Sequence, residues 1–431
     1  MKTIKIGIAG FGTVGAGVVD ILQCQRETFA QIHGIDLEIT TIVARDLKRD
    51  RGVSVAPSLL TTDFCSLKDV DLVVELIGGD TVAKNVILKS LQSGKAVVTA
   101  NKALLADHWD EVFEAVREHN GLLRFEATVA GAVPIVKTVQ ESLAGNRIQS
   151  LKGIINGTAN YILTEMESRH IAFSDILKEA QDKGYAETDP VFDIEGIDTA
   201  HKLAILVRLA YGTAVTVSEM HVEGITVITL DDILYAKELG YRIKLLAIAK
   251  RHEEAVEARV HPTMVPLSQV LSAVSGAYNA VDVFGDVSGD ILLYGQGAGR
   301  YPTASAVVGD ILDVAKQLAS GYSFDKENVP LTEMSDIDVP TLLVMDQVQT
   351  RYYLRLGVCD KSGVLAQITS IFGEHNISIA SVIQKELKKG EMVPLVIMTD
   401  MAREENMQKA LKAITVLESV DQEAVLIRVE D

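Results

Sequence analysis

The first third of the chain alternates short apolar runs with segments of helical periodicity. Residues 2–9 form an apolar run that predicts a strand buried on both faces. The helical pattern behind it places Val18, Val19 and Leu22 on one side. Further strands are predicted at residues 38–43, 72–76 and 96–99, with a helix at 81–93. Strands and helices in this order are typical of a parallel, doubly wound α/β sheet.

A second pattern occupies the carboxy-terminal part of the chain. Periodicity fades between residues 320 and 350, where Pro330, Pro340 and acidic residues predict a linker. Beyond it the pattern predicts strand, helix, strand, strand, helix and strand, at residues 353–358, 360–375, 376–384, 392–399, 404–417 and 424–429. This βαββαβ order predicts a separate small α+β domain.

Composition limits the classes of function. A chain of 431 residues with 48% hydrophobic and 23% charged residues predicts two or three globular domains. The net charge of −18 argues against broad binding of nucleic acid or anionic membranes. No uninterrupted apolar run reaches the ~20 residues of a membrane span. Cys24, Cys65 and Cys359 are odd in number and lack CxxC spacing, which favours a reducing, cytoplasmic compartment without structural zinc.

A glycine-rich turn follows the first predicted strand and opens the first helix. Its first glycine suits a tight turn, its second lets the backbone approach a pyrophosphate, and its third lets the helix pack on the strand. The helix N-terminus attracts the anion. The turn therefore predicts a dinucleotide-binding Rossmann domain, with the fingerprint Gly10, Phe11, Gly12, Thr13, Val14 and Gly15.

Two cationic side chains follow strands at the expected ligand-binding edge of this sheet. Arg45 comes after Ala44 at the end of the second long strand, where an NAD-preferring site usually carries an acid. Arginine suits a 2′-phosphate, which favours NADP, whereas Asp46 next to it keeps NAD as an alternative. Lys102 follows the strand at 96–99, with an ordinary surface lysine as its alternative.

The densest charge lies in residues 183–202, where five carboxylates gather with no Lys or Arg between Lys183 and Lys202. Such crowding calls for a positive partner, a metal or a polar ligand, with a solvated loop as the plain alternative. Few His or Cys ligands stand nearby, which disfavours a divalent metal. Asp198 and Lys202 lie four residues apart on one face of a predicted helix. This spacing suits a proton relay, and an ordinary surface ion pair is the alternative interpretation. The five carboxylates of this segment are those of Glu187, Asp189, Asp193, Glu195 and Asp198.

Five motifs occur in one order along roughly residues 1–320: GFGTVG, VVTANKALLA, EATVAGAVPI, GIINGTANYIL and GYAETDPVFDIEGIDTAHKLAIL. Together they resemble the homoserine dehydrogenases, which interconvert L-aspartate 4-semialdehyde and L-homoserine with NAD(P)H in threonine, methionine and isoleucine biosynthesis.

The carboxy-terminal segment, with DKSGVL as its first turn, resembles an ACT domain, a module that usually binds an amino acid at an interface between chains. The resemblance implies a homodimer or homotetramer, and pathway logic favours L-threonine as the feedback inhibitor.

The resemblance assigns roles to residues that match the family's motifs. Lys202 matches the proton donor and acceptor, Asp198 stands beside it, and Lys102 matches a second essential lysine at the nicotinamide. Either lysine is able to supply the proton or the positive charge that the carbonyl oxygen needs. Glu187 and Asp193 match residues that bind the substrate's amino and hydroxyl groups. The substrate pocket is shaped by Asn156, Gly157, Thr158 and Tyr185.

Three further ligand positions are implied by the same resemblance. Gly297 lies in a glycine-rich loop over the nicotinamide. A monovalent cation, usually sodium, is held mostly by backbone carbonyls at Glu126, Val129, Gly131 and Val133. An amino-acid effector meets the ACT domain at Gly363, Asn376 and Ile377, with dimerisation alone as the alternative role of that domain.

The expected organisation follows from these assignments. Residues 1–137 form an NAD(P)-binding Rossmann domain completed by 301–320, and residues 138–300 form an α+β substrate and dimerisation domain. A linker at 321–350 leads to an ACT regulatory domain at 351–431.

Two other functions fit parts of the sequence. An aldehyde dehydrogenase with a thioacyl intermediate needs a nucleophilic cysteine. This function is disfavoured, because Cys24 lies in the first predicted helix, Cys65 before a strand and Cys359 outside the catalytic part. A regulator that only senses nucleotides has no use for Lys102, Asp198 and Lys202. A fused aspartate kinase is excluded by length.

Overall fold

A computed structural model describes residues 1–183, 186, 187, 189–321, 339–385 and 392–430. The chain divides into two compact units. The first contains Met1–Gln149, His201–Val217 and Asn279–Val339, and the second contains Ser150–Ala200, Ser218–Tyr278 and Pro340–Asp431.

The strands and helices of the described residues have the following bounds. The strands are β1 (Lys2–Ala9), β2 (Ile35–Val43), β3 (Leu60–Thr61), β4 (Leu72–Glu75), β5 (Ala96–Thr99), β6 (Leu123–Arg124), β7 (Ile148–Ile154), β8 (His221–Val222), β9 (Tyr241–His252), β10 (Ala255–Pro266), β11 (Tyr278–Gly285), β12 (Gly289–Gln296), β13 (Thr341–Leu342), β14 (Gln349–Cys359), β15 (Ile379–Ile383), β16 (Met392–Thr399), β17 (Ala402–Arg403) and β18 (Val425–Val429). The helices are α1 (Thr13–His33), α2 (Thr81–Gln92), α3 (Lys102–Glu118), α4 (Ile135–Lys137), α5 (Gly157–Arg169), α6 (Phe173–Asp182), α7 (Val191–Ile194), α8 (Ile197–Tyr211), α9 (Leu230–Glu238), α10 (Arg300–Ser320), α11 (Val364–Glu374) and α12 (Glu404–Ile414).

The first unit is built on a parallel sheet in the order β3-β2-β1-β4-β5-β6, which confirms the predicted doubly wound α/β fold. Alternate residues of β1 and β4 face opposite layers, since Ile8 packs with α1 and α10 whereas Val73 packs with Leu67 and α2. Helix α10 approaches α1 so closely that a Cβ on Gly17 would lie 2.7 Å from the Arg300 carbonyl oxygen.

The second unit contains a sheet in which the strands follow the order β7-β9-β10-β18-β14-β16-β15. Strands β9 and β10 form a long antiparallel hairpin. Strand β18 pairs in parallel with β10, with Thr263 opposite Arg428, so the sheet continues directly into the carboxy-terminal elements. Most of the expected linker lies outside the described residues, but β13, within its expected bounds, pairs with β10.

The carboxy-terminal elements confirm the predicted βαββαβ order. Strands β14, β15, β16 and β18 are antiparallel neighbours, and α11 and α12 bury Ile368, Phe372 and Met407 against them. The added strand β17 pairs with the start of β14 and had no signal in the apolar pattern.

None of the helices in the described ranges is long and apolar enough to cross a membrane.

Candidate active site

The fingerprint turn joins β1 to α1 in a conformation that only glycine fits at two positions. Gly10 has φ 111°, and a Cβ there would lie 2.4 Å from the backbone of Leu76. A Cβ on Gly15 would lie 2.2 Å from the Gly10 carbonyl oxygen. At Gly12, by contrast, no atom lies within 4 Å of the Cβ position, which leaves open space at the start of α1. The residues present therefore fit the pyrophosphate of a dinucleotide.

Arg51 lies against this turn, although it is not among the fingerprint positions. Its Nε donates to the Phe11 carbonyl oxygen, and its guanidinium carbon is 4.8 Å from the centroid of the Phe11 ring. The same guanidinium donates to the Asp46 carbonyl oxygen at 2.6 Å. Arg45 is exposed and Ala44 is buried. The sequence signal for Arg51 was the run of cations after β2, which is Arg45, Lys48, Arg49 and Arg51. No sequence pattern indicated the contact with Phe11, because Arg51 lies eight residues beyond the end of the strand.

A buried polar network fixes the start of α3, the helix that begins with Lys102. The Asn101 side chain caps α3, and its Nδ2 donates to the Gly79 carbonyl oxygen at 2.6 Å. Glu75, buried at the end of β4, accepts a hydrogen bond from Thr99 Oγ1 at 2.6 Å. Burial raises the pKa of Glu75, against the hydrogen bond from Thr99, which lowers it. Glu75 was not predicted as a site residue, because a lone acid inside an apolar run gives no motif.

Gly131 and Gly297 meet where the chain turns between segments of the first unit. Gly131 has φ 58°, and a Cβ there would lie 2.4 Å from the Gly297 carbonyl oxygen. A Cβ on Gly297 would lie 2.0 Å from the Asn279 side-chain amide nitrogen. Neither position has room for a side chain.

We expect Gly297→Ala to destabilise the protein, because the added methyl group forces Asn279 or the backbone aside. Overpacking of this kind costs about 1–3 kcal/mol. Thermal unfolding followed by circular dichroism measures the loss as a lower Tm. Gly309→Ala is the control, since Gly309 lies inside α10 with nothing within 4 Å of its Cβ position, so Tm should stay or rise. Equal Tm values for the two variants would contradict the close approach.

Glu126 turns its carboxylate toward backbone amides. Its two carboxylate oxygens accept hydrogen bonds from the amides of Val136 at 2.9 Å and Lys137 at 2.8 Å. Burial raises the pKa of Glu126 to about 7, although these hydrogen bonds lower it. Its own amide donates to Asp310 Oδ2 at 2.7 Å. The carboxylate of Glu126 therefore bonds to the start of α4, and the cation site at these residues stays a prediction.

One amide joins two of the predicted site acids in the second unit. Asn156 caps α5 through its Oδ1, which accepts from the Ala159 amide at 2.8 Å. Its Nδ2 donates to Asp193 Oδ1 at 2.8 Å and to Asp198 Oδ2 at 2.9 Å. Asn156 and Asp198 are buried, with 4% of each exposed. The structure thus brings Asn156, Asp193 and Asp198 together around one donor group.

A second polar network backs the turn at Gly157. A Cβ on Gly157 would lie 2.9 Å from the Ala277 carbonyl oxygen, so α5 starts tightly against this loop. Asn160 Nδ2 donates to the Gly276 carbonyl oxygen at 2.9 Å, and the buried Lys244 Nζ donates to Asn160 Oδ1 at 3.0 Å. Burial lowers the pKa of Lys244 to about 7. Thr158 follows in the first turn of α5 and is half-buried.

Helix α8 carries both members of the predicted proton relay. Asp198 lies in its first turn, and Lys202 stands one turn later and is half-buried. The helical spacing expected from the sequence is therefore present.

The loop between α6 and α7 is described only in part. Glu187 is exposed and its carbonyl oxygen accepts from Gln181 at 3.1 Å. Tyr185 lies outside the described residues. Asp189 accepts from the Val191 amide at 3.3 Å, and Glu195 accepts from Thr226 Oγ1 at 3.1 Å, so both serve local structure.

No group of three His, Cys, Asp or Glu side chains within the described ranges is arranged to hold a metal ion. Of the cysteines, Cys24 and Cys65 are exposed, and Cys359 lies at the end of β14.

The three predicted effector residues occupy two turns of the carboxy-terminal elements. Gly363 has φ 97° and precedes α11, with nothing within 4 Å of its Cβ position. Asn376 has φ 56°, and the Ile377 amide donates to the Phe372 carbonyl oxygen at 2.9 Å. Both turns need left-handed backbone, which Gly and Asn adopt readily.

Three family models match the chain in succession. They are the homoserine dehydrogenase NAD binding domain at residues 10–126, homoserine dehydrogenase at residues 134–312 and the ACT domain at residues 352–419. Curated relatives match at full length. The homoserine dehydrogenase of Neisseria gonorrhoeae is 42% identical over 434 residues, covering 100% of this chain and 99% of the relative. That of Pseudomonas aeruginosa is 44% identical over 437 residues, again covering 100% and 99%.

Solved structures agree with these matches. A homoserine dehydrogenase from Thiobacillus denitrificans has a TM-score of 0.92 at 44% identity, covering 100% of this chain and 99% of its own. The S. aureus homoserine dehydrogenase at pH 7.5 has a TM-score of 0.79 at 29% identity, with the same coverage. The chain therefore belongs to the homoserine dehydrogenases, NAD(P)-dependent oxidoreductases, and carries a carboxy-terminal ACT domain.

Proposed function

We propose that the chain reduces L-aspartate 4-semialdehyde to L-homoserine with NADPH and catalyses the reverse oxidation, as a step of threonine, methionine and isoleucine biosynthesis. The observation that carries the proposal is the amide of Asn156, which binds both Asp193 and Asp198, with Lys202 one helical turn beyond Asp198. Acids held in this way suit a substrate that carries an ammonium group.

Each residue of this set has a proposed task. Asp193 and Glu187 bind the amino and hydroxyl groups of the substrate. The turn at Asn156, Gly157 and Thr158, together with Tyr185, shapes the pocket around the rest of the molecule.

The chemical step needs a positive group at the carbonyl oxygen. Bound dihydronicotinamide supplies a hydride to the aldehyde carbon, so negative charge grows on the oxygen. Lys202 donates a proton to that oxygen, and Asp198 holds the ammonium in place and favours its charged form. Lys102 contributes a second positive charge, and its helix start is fixed by Asn101.

The cofactor binds through the fingerprint of residues 10–15, with open space at Gly12 for the pyrophosphate. Gly297 covers the nicotinamide, Ala44 borders the ribose, and Arg45 favours the 2′-phosphate of NADP over NAD. Arg51 stands against Phe11 and adds positive charge near the same end. A hyperthermophilic archaeal homoserine dehydrogenase, 27% identical with a TM-score of 0.61, was solved in complex with NADPH, which supports this preference.

Two more ligands complete the proposal. A monovalent cation, with sodium preferred, binds backbone carbonyls at Glu126, Val129, Gly131 and Val133. L-threonine binds the ACT domain at Gly363, Asn376 and Ile377 and inhibits the reaction, in a cytoplasmic homodimer or homotetramer.

We expect the enzyme to discriminate strongly against succinate semialdehyde, which is the proposed substrate without its amino group. Acids that bind the ammonium are left unpaired by this analogue, and sites of this kind reject such analogues by about 10⁴-fold. Steady-state NADPH oxidation with each aldehyde gives the two kcat/KM values, and amino-acid analysis identifies homoserine as the product. Asp193→Asn should reduce the ratio of the two kcat/KM values. Similar kcat/KM values for both aldehydes would contradict the role of the acids.

A further inference from the structure

An ion cluster of the second unit lies where the ACT domain meets β10. Arg428, on β18, is fully buried, and its guanidinium donates to Glu404 at 2.6 and 2.9 Å. The other side of the same guanidinium donates to Glu223 at 2.8 and 3.1 Å. A single arginine therefore ties the first turn of α12 to the segment that follows β8.

Glu223 is fixed on several sides. Its amide donates to the Val260 carbonyl oxygen at 2.8 Å, and its carboxylate lies 2.7 Å from His221 Nε2. Burial raises the pKa of Glu223, but the hydrogen bond from His221 and the charge of Arg428 lower it to about 2. The carboxylate is therefore charged at neutral pH, as a partner of Arg428 should be.

The residues after Glu223 contact the turn between Asp193 and Asp198. A Cβ on Gly224 would lie 2.4 Å from the Ile194 carbonyl oxygen and 2.6 Å from Glu195 Cα. The Ile225 amide donates to the same Ile194 carbonyl at 2.8 Å, and Thr226 Oγ1 donates to Glu195 Oε1 at 3.1 Å. Gly224 and Ile225 contact this turn through their backbones, which leaves little freedom for either segment.

The turn that receives this contact is the one between Asp193 and Asp198. These two carboxylates accept from Asn156 at 2.8 and 2.9 Å, and the turn between them bonds to residues 224–226. Arg428 is thus linked to Asp193 and Asp198 through Glu223, residues 224–226 and the turn at Ile194 and Glu195.

We propose that Arg428 and Glu223 are positioning residues that hold the substrate ligand Asp193 in place, so that the ACT domain sets the geometry of substrate binding through this pair. The inference rests on the proposed function for Asp193 as a substrate ligand. A misplacement of about 1 Å at a binding group is enough to lower kcat/KM by up to about 10²-fold, so a small shift of Asp193 is sufficient.

A second buried ion pair in the same unit provides a matched control. Asp232, in α9, accepts from Arg355 of β14 at 2.6 and 3.0 Å and is fully buried. Its other contacts are with Thr229 and Tyr353. This pair also joins the ACT domain to the preceding segment. It is a suitable control because it holds α9, whereas Glu223 leads to the turn between Asp193 and Asp198.

The test compares Glu223→Gln and Arg428→Lys with Asp232→Asn, all in the full-length chain. We expect Glu223→Gln to raise KM for L-homoserine about tenfold, with kcat and KM for NADP⁺ within twofold. Substrate binding is weakened by the shift of Asp193, whereas Asp198 and Lys202 stay on α8. Arg428→Lys keeps the charge and should give a smaller rise in KM. Asp232→Asn should lower Tm and leave KM for homoserine unchanged.

Hydrogen exchange keeps the inference separate from the proposed function. We expect peptides that cover residues 191–198 to exchange at least tenfold faster in Glu223→Gln and unchanged in Asp232→Asn. Unchanged exchange in Glu223→Gln would overturn the positioning contact, and faster exchange with an unchanged KM would overturn its role in substrate binding. If the wild-type chain did not oxidise homoserine while exchange rose as expected, the proposed function would fail and the contact would stand.

Discussion

Lys202→Ala is expected to lower kcat by about 10²–10⁴-fold, the usual contribution of a general acid or base. The variant lacks the ammonium that we propose as the proton donor to the carbonyl oxygen, and Asp198, one turn earlier on α8, is unchanged. NADPH binding should remain within twofold of wild type, because the fingerprint of residues 10–15 is intact. Steady-state kinetics and NADPH fluorescence titration measure the two effects.

Two further measurements decide between the lysines. Methylamine in the assay should restore part of the activity of Lys202→Ala, since a free amine is able to replace a proton donor. Lys178→Ala, which removes an exposed lysine of α6, is the control and should match wild type. If Lys202→Ala kept normal turnover while Lys102→Ala lost it, the proton would pass through Lys102.

Removal of residues 351–431 is expected to prevent folding of the second unit. On the sequence alone, deletion of a regulatory domain behind a linker should abolish threonine inhibition and spare catalysis. The structure changes that expectation, because the deletion strips Glu430 from the fully buried Arg259, and Arg355 from Asp232. Arg259 keeps Glu257 as a partner at 3.2 Å, whereas Asp232 loses Arg355. Breaking a buried ion pair costs about 3–5 kcal/mol, against a total stability of about 5–15 kcal/mol for a domain.

The deletion also exposes part of the edge of β10, which pairs with β18 at Thr263 and Met264. Circular dichroism and size-exclusion chromatography should therefore find an unfolded or aggregated protein. Asn376→Gly is the control, since glycine adopts the φ of 56° that Asn376 has and removes only the side chain. It should keep Tm and turnover and weaken inhibition by threonine. A truncated chain with wild-type Tm and kcat would contradict the role given to these ion pairs.

Much of the fold was predictable because its strands are continuous apolar runs. The bounds predicted for β1, β5 and β16 are those of the structure, and all three strands have buried residues on both faces. Fully buried strands leave a strong signal in sequence. Helix ends were displaced by a few residues, since caps such as Asn101 and Asn156 depend on local hydrogen bonds.

The parts that could not be predicted involve residues far apart in sequence. The pairing of β10 with β18 joins Thr263 to Arg428, and no local pattern encodes it. Glu404 and Glu430 are charged residues that sequence alone places on the surface, yet both are buried as partners of arginines. The spacing of Asp193 and Asp198 predicted a cluster, but the shared donor, Asn156, stands 37 residues before Asp193.

The proposed function is tested most directly by the reduction of NADP⁺ by the purified full-length chain with L-homoserine, followed at 340 nm and repeated with NAD⁺ and with L-threonine. We expect homoserine-dependent NADPH formation, a higher kcat/KM with NADP⁺ than with NAD⁺, and inhibition by threonine. A chain that binds NADP⁺ but forms no NADPH with homoserine would contradict the proposed function.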